Sequence, residues 1–211
     1  MSLDIHTHQF SFNAIFNVIV GEENKPKSQK YSLGIHPWFI KDYKKQIEFL
    51  ESELQQEDAN FILIGECGLD KLKGADFQHQ KEVFVQQIRL SEKYKKPLII
   101  HCVKSYGELM EIYTKENPTQ NWVIHGFNKS KELAHQLISK GIFLSFGATL
   151  LKSSKQQEAL LDVPLSQLFL ETDNQTVVSI EELYTFVSNL LGIEITALKK
   201  QIESNLWKVI G

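Results

Sequence analysis

Short apolar runs recur along the chain, and longer segments between them repeat apolar residues every three or four positions. The short runs are rich in Ile, Leu, Val and Phe, which is typical of strands that are buried on both faces. The pattern therefore predicts eight strands. They are Leu3–Ile5, Ala14–Val20, Tyr31–Ile35, Phe61–Gly65, Pro97–His101, Asn121–His125, Phe143–Phe146 and Leu168–Glu171.

The segments with helical periodicity lie between or after these strands, and all of them begin at residue 41 or later. A chain in which strands and amphipathic helices alternate forms a parallel sheet with right-handed crossovers. The predicted helices are Lys41–Gln55, Phe77–Tyr94, Ser105–Lys115, Ser130–Ser139, Ser153–Leu161, Ser179–Leu191 and Ile195–Val209.

The first third of the chain departs from this alternation. Only eight residues separate Leu3–Ile5 from Ala14–Val20, whereas a parallel crossover with a helix needs at least about 10–12 residues. The polar segment Gly21–Lys30 is interpreted as a loop. We therefore predict that Ala14–Val20 runs antiparallel to its neighbours. The fold class is α/β, a distorted TIM (β/α)8-like barrel without its first helices and with one irregular or antiparallel early strand, in a single domain over residues 1–211.

Composition and charge restrict the biological setting. No apolar run is long enough to span a bilayer, and the first residues lack the features of a signal peptide. The two cysteines, Cys67 and Cys102, do not make a disulfide framework. We expect a cytoplasmic protein without membrane association, with a monomer favoured. A net charge of −3 is mildly unfavourable for a protein that grips long nucleic acid by charge alone.

Histidines and carboxylates stand where the predicted strands end. His6 and His8 follow the first strand at positions i and i+2, so both imidazoles point to the same face and can bind one ion. Ionisable residues that close apolar strands are costly to bury without partners, and strand ends in a barrel meet at one rim. Four further strand ends carry such residues. They are Glu66, His101, His125 and Asp173.

These six residues predict a metal centre. Four histidines and two carboxylates suit borderline divalent ions. Six ligands are too many for one catalytic ion that keeps a position open for water, but they suit two ions that share a carboxylate. We expect two divalent ions, chosen among zinc, manganese, magnesium and nickel.

Several short motifs occur in the order found in a known family, and they cover residues 4 to 173 of the chain. They include Asp4–His8, Gly34–Pro37, Ile64–Asp70, Gln80–Phe84, Pro97–His101, His125–Phe127 and Glu171–Asp173. On these motifs the chain resembles TatD-type deoxyribonucleases of the amidohydrolase superfamily. The resemblance implies a distorted TIM barrel. It also implies that a metal-activated water hydrolyses phosphodiester bonds. The substrate would be DNA or a small phosphodiester, and DNA could be cleaved exonucleolytically.

The resemblance also implies a role for each ligand. Asp173 would act as the general base that takes a proton from the attacking water, and Glu66 would be catalytic through its position between the ions. The implied ligand sets are His6, His8 and Asp173 for one ion and His101 and His125 for the other, with Glu66 bridging them.

Substrate contacts are predicted at His36, Lys104 and Phe127. Each has a structural alternative: His36 can cap its own turn, Lys104 can be solvated and Phe127 can pack in the core. The chain lacks the arginine that the family places after the histidine of the fifth strand. This absence keeps open a hydrolase of a small amide, ester or lactone. A third alternative is a catalytically silent metal-binding partner subunit.

Overall fold

The computed structural model describes all 211 residues, which group into two compact units. The first unit contains Met1–Ile15 and Val123–Gly211, and the second contains Phe16–Trp122. Whether the chain behaves as the single domain expected from its sequence stays a prediction. No helix is both long enough and apolar enough to cross a lipid bilayer.

All the predicted strands and helices are present, with ends that differ by a few residues. The strands are β1 (Asp4–Thr7), β2 (Ala14–Ile19), β3 (Tyr31–Gly34), β4 (Phe61–Asp70), β5 (Leu98–Val103), β6 (Trp122–Ile124), β7 (Phe143–Phe146) and β8 (Leu168–Leu170). The helices are α1 (Tyr43–Gln55), α2 (Phe77–Tyr94), α3 (Tyr106–Glu116), α4 (Lys131–Ile138), α5 (Ser154–Leu161), α6 (Ile180–Leu191) and α7 (Ile195–Ile210), with 3₁₀ turns at Ala148–Lys152 and Leu165–Gln167.

In the second unit, β2, β3, β4 and β5 pair in chain order and all pairs are parallel. The prediction that Ala14–Val20 runs antiparallel is wrong, because Phe16 pairs with Tyr31 in a parallel register. The polar segment Gly21–Lys30 itself returns the chain to the start of β3. Its ten residues reach the length of a parallel crossover without forming a helix. No helix precedes α1, as predicted.

Helix α2 fixes the strand ends of the second unit through two buried glutamines. Gln87 accepts a hydrogen bond from the Ile35 amide at 2.8 Å and donates to the Ile35 carbonyl at 3.1 Å. Gln80 accepts from the Asp70 amide at 2.7 Å and donates to the Asp70 carbonyl at 2.9 Å. The backbone just after β3 and at the end of β4 is therefore held by side chains of one helix.

In the first unit, β6, β7 and β8 are parallel, and Thr7 of β1 forms a parallel bridge with Asp173 beyond β8. The two C-terminal helices secure these strands. The Tyr184 hydroxyl of α6 donates to the Leu3 carbonyl at 2.9 Å. Asn205 of α7 donates to the Leu165 and Leu168 carbonyls at 2.7 and 2.9 Å. These hydrogen bonds therefore fix the backbone just before the segments that carry His6 and Asp173.

Candidate metal centre

The first unit brings together His6, His8 and Asp173. One carboxylate oxygen of Asp173, Oδ1, lies 3.5 Å from His6 Nε2 and 3.7 Å from His8 Nε2. The backbone enforces this grouping, because the Asp173 amide donates to the His6 carbonyl at 2.9 Å and the His8 amide to the Asp173 carbonyl at 3.2 Å. His6 is fully buried, whereas the Asp173 side chain is 39% exposed and accessible to water.

Asp4 forms hydrogen bonds to both backbone segments that carry this cluster. Its carboxylate accepts hydrogen bonds from the His6 amide at 3.2 Å, the Thr172 amide at 3.2 Å and the Thr172 hydroxyl at 2.6 Å. Burial raises the pKa of Asp4 to about 6, although the hydrogen bonds from Thr172 act in the opposite direction. Asp4 therefore joins the backbone of β1 to the segment after β8.

His125 lies beside the same cluster, with its ring centroid 4.4 Å from that of His6. Its Nδ1 is 3.3 Å from Oε1 of Glu171, a carboxylate that is 1% exposed. Since a carboxylate accepts the proton of a neutral imidazole, this contact assigns the proton to Nδ1 and leaves the lone pair on Nε2. Histidines that bind metals commonly have this kind of carboxylate partner.

The second unit places Glu66 between two histidines. Glu66 Oε1 lies 3.1 Å from His36 Nε2 and 2.8 Å from His101 Nδ1, and all three residues are buried. The Glu66 amide donates to Asn17 Oδ1 at 2.9 Å. Glu66 and His101 lie within β4 and β5 rather than at their ends, because both strands are longer than predicted.

Hydrogen bonds assign different roles to the two histidines. His36 Nδ1 accepts from the Trp38 amide at 3.1 Å, so a neutral His36 carries its proton on Nε2 and donates it to Glu66. Distance alone would admit His36 as a ligand, but this tautomer leaves no lone pair for a metal ion. His36 therefore caps its own turn and orients Glu66, and whether it also contacts the substrate stays a prediction.

His101 has the opposite arrangement. Its Nε2 lies 3.1 Å from Oδ2 of Asp70 and its Nδ1 2.8 Å from Oε1 of Glu66, so a proton on Nε2 is donated to Asp70 and a proton on Nδ1 is donated to Glu66. Burial alone would raise the pKa of Asp70, but hydrogen bonds from Leu72, Trp38 and His101 hold it below its usual value. In the tautomer that carries its proton on Nε2, Nδ1 and Oε1 of Glu66 are two acceptors 2.8 Å apart, and they need a shared cation, which is either a proton or a metal ion.

These contacts fit divalent ions. In the first unit the ligand atoms of His6, His8 and Asp173 lie within 4.8 Å of one another. In the second unit Glu66 Oε1 and His101 Nδ1 lie 2.8 Å apart. Imidazole nitrogen and carboxylate oxygen are donors suited to zinc, manganese or nickel. The assignment of each ligand to a particular ion, and the bridging role of Glu66, stay predictions.

The predicted substrate contacts differ in exposure. Phe127 is 1% exposed and packs edge-on against Phe146, as in the core-packing alternative, and its contact with substrate stays a prediction. Its ring turns inward after Gly126, which has a φ of +57°. Lys104 is exposed after β5, and its contact with substrate stays a prediction.

Sequence reasoning missed the supporting roles of Asp70 and Glu171. Both stand in the motifs quoted above, but their only sequence signal is that each lies two to four residues from a predicted ligand. Which imidazole a buried carboxylate faces depends on strand pairing, which the sequence pattern does not specify.

Comparison with known proteins identifies the family. The family model described as TatD related DNase matches residues 5–211. The chain belongs to this family. Among TatD-family relatives, the "uncharacterized metal-dependent hydrolase YjjV" of Escherichia coli K12 is 29% identical over 147 residues, 67% of this chain and 56% of YjjV. The "putative deoxyribonuclease TATDN1 homolog" of Vairimorpha ceranae is 34% identical over 116 residues, 54% of this chain and 42% of that protein.

The chain spans about half the length of these relatives, 56% and 42% respectively. The crystal structure of the TatD homolog YjjV from E. coli K12 superposes with a TM-score of 0.82 at 20% identity, over 99% of this chain and 96% of that one. The similarity shows the fold, an α/β TIM-like barrel, and confirms the predicted fold class.

Proposed function

We propose that the chain is a metal-dependent hydrolase that cleaves phosphodiester bonds, with DNA as the substrate class. The observation that carries the proposal is the pairing of two candidate histidine ligands, one in each unit, with buried carboxylates. His125 pairs with Glu171 through Nδ1 and His101 with Asp70 through Nε2, so a proton on each of these nitrogens leaves the other nitrogen to bind an ion. The name of YjjV points to a metal-dependent hydrolase, and that of the Vairimorpha ceranae relative to a deoxyribonuclease.

Divalent ions at such sites lower the pKa of water and polarise the oxygens of a phosphoryl group. The chain supplies the proton acceptor, because Asp173 is the partly exposed carboxylate next to His6 and His8. A carboxylate oxygen of Asp173 takes the proton of the attacking water, as a general base within hydrogen-bond reach does. The carboxylate of Glu66 is held in a fixed orientation, because its backbone amide donates to Asn17 and its Oε1 lies 3.1 Å from His36 Nε2.

A second reaction class has one observation in its favour. The only arginine, Arg89, lies on α2 and its guanidinium pairs with Glu116 at 3.3 Å. Arginine is the residue best shaped to grip a phosphate with two parallel hydrogen bonds. A hydrolase of a small amide, ester or lactone would not need it.

The test uses protein stripped of metal and reloaded with manganese, zinc, magnesium or nickel. Its substrates are a single-stranded oligodeoxynucleotide and bis(p-nitrophenyl) phosphate, beside a panel of simple esters, amides and lactones. We expect metal-dependent phosphodiester cleavage that Asp173→Asn lowers by at least about a hundredfold, as loss of a general base does. Cytoplasmic location and a monomeric state stay predictions.

The matched control is Asp162→Asn. Asp162 is an exposed carboxylate in the same unit, and it pairs with His135. Turnover of a neutral ester or lactone, with both phosphodiesters intact, would replace the proposal with the second reaction class. Metal-loaded protein that is inert towards the whole panel would favour the silent partner subunit instead.

A further inference from the structure

The loop after β4 holds Lys73 in a fixed position. Asp70 Oδ1 accepts from the Leu72 amide at 2.7 Å and from the Lys73 amide at 3.2 Å. On the other side, Gln80 Nε2 donates to the carbonyls of Lys73 and Ala75 at 3.2 and 2.8 Å. The backbone on both sides of Lys73 is therefore fixed by buried side chains, unlike that of an ordinary solvated loop.

Gly74 lets this loop pack directly against the chain after β3. Its φ is +102°, and a Cβ atom at this position would lie 2.3 Å from the Pro37 carbonyl oxygen. The Ala75 amide donates to that same oxygen at 3.2 Å. A residue with a side chain at position 74 would separate the two segments, so glycine is needed to bring Lys73 beside Trp38.

Trp38 is fixed between the loop and the histidines of the second unit. Its indole nitrogen donates to Asp70 Oδ2 at 2.7 Å. Its ring centroid lies 4.9 Å from that of His36 and 5.5 Å from that of His101. The side of the indole not covered by these contacts reaches solvent, because the residue remains 37% exposed.

The Lys73 ammonium lies on this indole. Its Nζ is 3.6 Å from the Trp38 ring centroid, a close cation–π contact. No carboxylate forms an ion pair with Lys73, whereas Lys71 in the same loop pairs with Glu108. The result is a positive charge without an ion-pair partner, held on the indole that also contacts the candidate ligand His101. Such a charge attracts anions to the surface around it.

We propose that Lys73 and Trp38 form a subsite that binds a phosphate group of a single-stranded nucleic acid next to the bond that is cleaved. Lys73 donates to a phosphate oxygen, and the exposed part of the Trp38 indole contacts the neighbouring base. This inference rests on the proposed function and deepens it, because it makes an anionic strand the substrate class. It assigns to Lys73, rather than to Lys104, the phosphate contact for which the chain has no arginine.

Binding is measured apart from cleavage, by fluorescence anisotropy of a labelled oligodeoxythymidylate with protein in excess chelator. We expect Lys73→Ala to raise Kd about tenfold, the effect of losing one charged hydrogen bond. The slope of log Kd against log salt should fall by about 0.7, as for one lost contact with single-stranded phosphate. Lys73→Arg should restore both values, and Trp38→Leu should raise Kd with less change in the salt slope.

Two lysine variants are the controls. Lys71→Ala removes the same charge from the same loop at a residue that is already paired, and Lys104→Ala tests the rival contact. The subsite is wrong if Lys73→Ala matches Lys71→Ala, if Lys104→Ala alone weakens binding, or if the wild type binds no oligonucleotide. Separate cleavage assays distinguish this failure from that of the proposed function. Lys73-dependent binding without any phosphodiester cleavage supports the subsite and refutes the hydrolase reaction.

Discussion

At the scale of single residues, the candidate ligands could be predicted from the sequence. The carboxylates that orient their imidazole rings could not. His101 and His125 were found because each follows an apolar run, which the sequence displays. Their tautomers depend on Asp70 and Glu171, which reach them only after the strands have paired. Phe127 shows the same limit, because an aromatic residue after a strand end can turn towards the core or towards solvent.

The Glu171–His125 contact gives a first test at this scale. Glu171→Gln removes the negative charge that faces Nδ1 while keeping the shape of the side chain. The imidazole then becomes a weaker ligand, and we expect the affinity for zinc or manganese to fall by about 10- to 100-fold. Competition with a chelating indicator dye measures this change.

Glu158→Gln is the matched control, because this carboxylate is exposed on α5 of the same unit. Its metal affinity should equal that of the wild type. Equal affinities for Glu171→Gln and the wild type would show that His125 does not hold an ion through the nitrogen assigned above.

At the scale of elements, the strands that could be predicted were those with a continuous apolar run. Strand β4 is buried along all its residues, and its run stood out in the sequence. Its last five residues were missed because the glycines within it interrupt the pattern. Gly68 is required there, since a Cβ atom would lie 2.1 Å from the His101 carbonyl oxygen. The direction of β2 was missed because loop length alone was used to infer it.

Helix α2 provides the prediction at this scale. Gln87→Leu would leave the amide and carbonyl of Ile35 without the partners that Gln87 supplies, in a fully buried position. An unsatisfied buried polar group costs about 1–3 kcal/mol. We therefore expect the free energy of unfolding, measured by urea denaturation, to fall by about 2–4 kcal/mol.

Gln86→Leu makes the identical change one residue earlier, on the exposed side of the same helix. Its effect should be within about 0.5 kcal/mol, as is usual for surface positions. If the two variants were equally stable, the two hydrogen bonds to Ile35 would not contribute to the fixed end of β3.

At the scale of the whole molecule, the same kind of histidine–carboxylate pairing occurs in both compact units. Each unit therefore holds candidate ligand atoms close together, and a bound cation would give them a shared partner. Ligands that bind the folded state and not the unfolded state stabilise it by mass action. We therefore expect divalent ions to stabilise the folded chain as well as to take part in its reaction.

Thermal unfolding tests this expectation. With manganese or zinc at about 100 times the dissociation constant, binding adds about 2.7 kcal/mol to the free energy of unfolding. For a chain of this length this corresponds to a rise in Tm of about 5–10 °C over chelator-treated protein. Histidine ligands bind only when neutral, so the stabilisation should be present at pH 7.5 and shrink below about pH 6.

His6→Ala supplies the comparison within the first unit, because it removes a fully buried candidate ligand without adding charge. We expect the metal-dependent rise in Tm to be reduced in this variant, while Tm in chelator changes by the ordinary amount for a buried substitution. A metal-dependent rise of equal size at pH 5 and pH 7.5 would contradict neutral histidines as the ligands. If metal ions raised Tm at no pH, the chain would not bind them at the proposed metal centre.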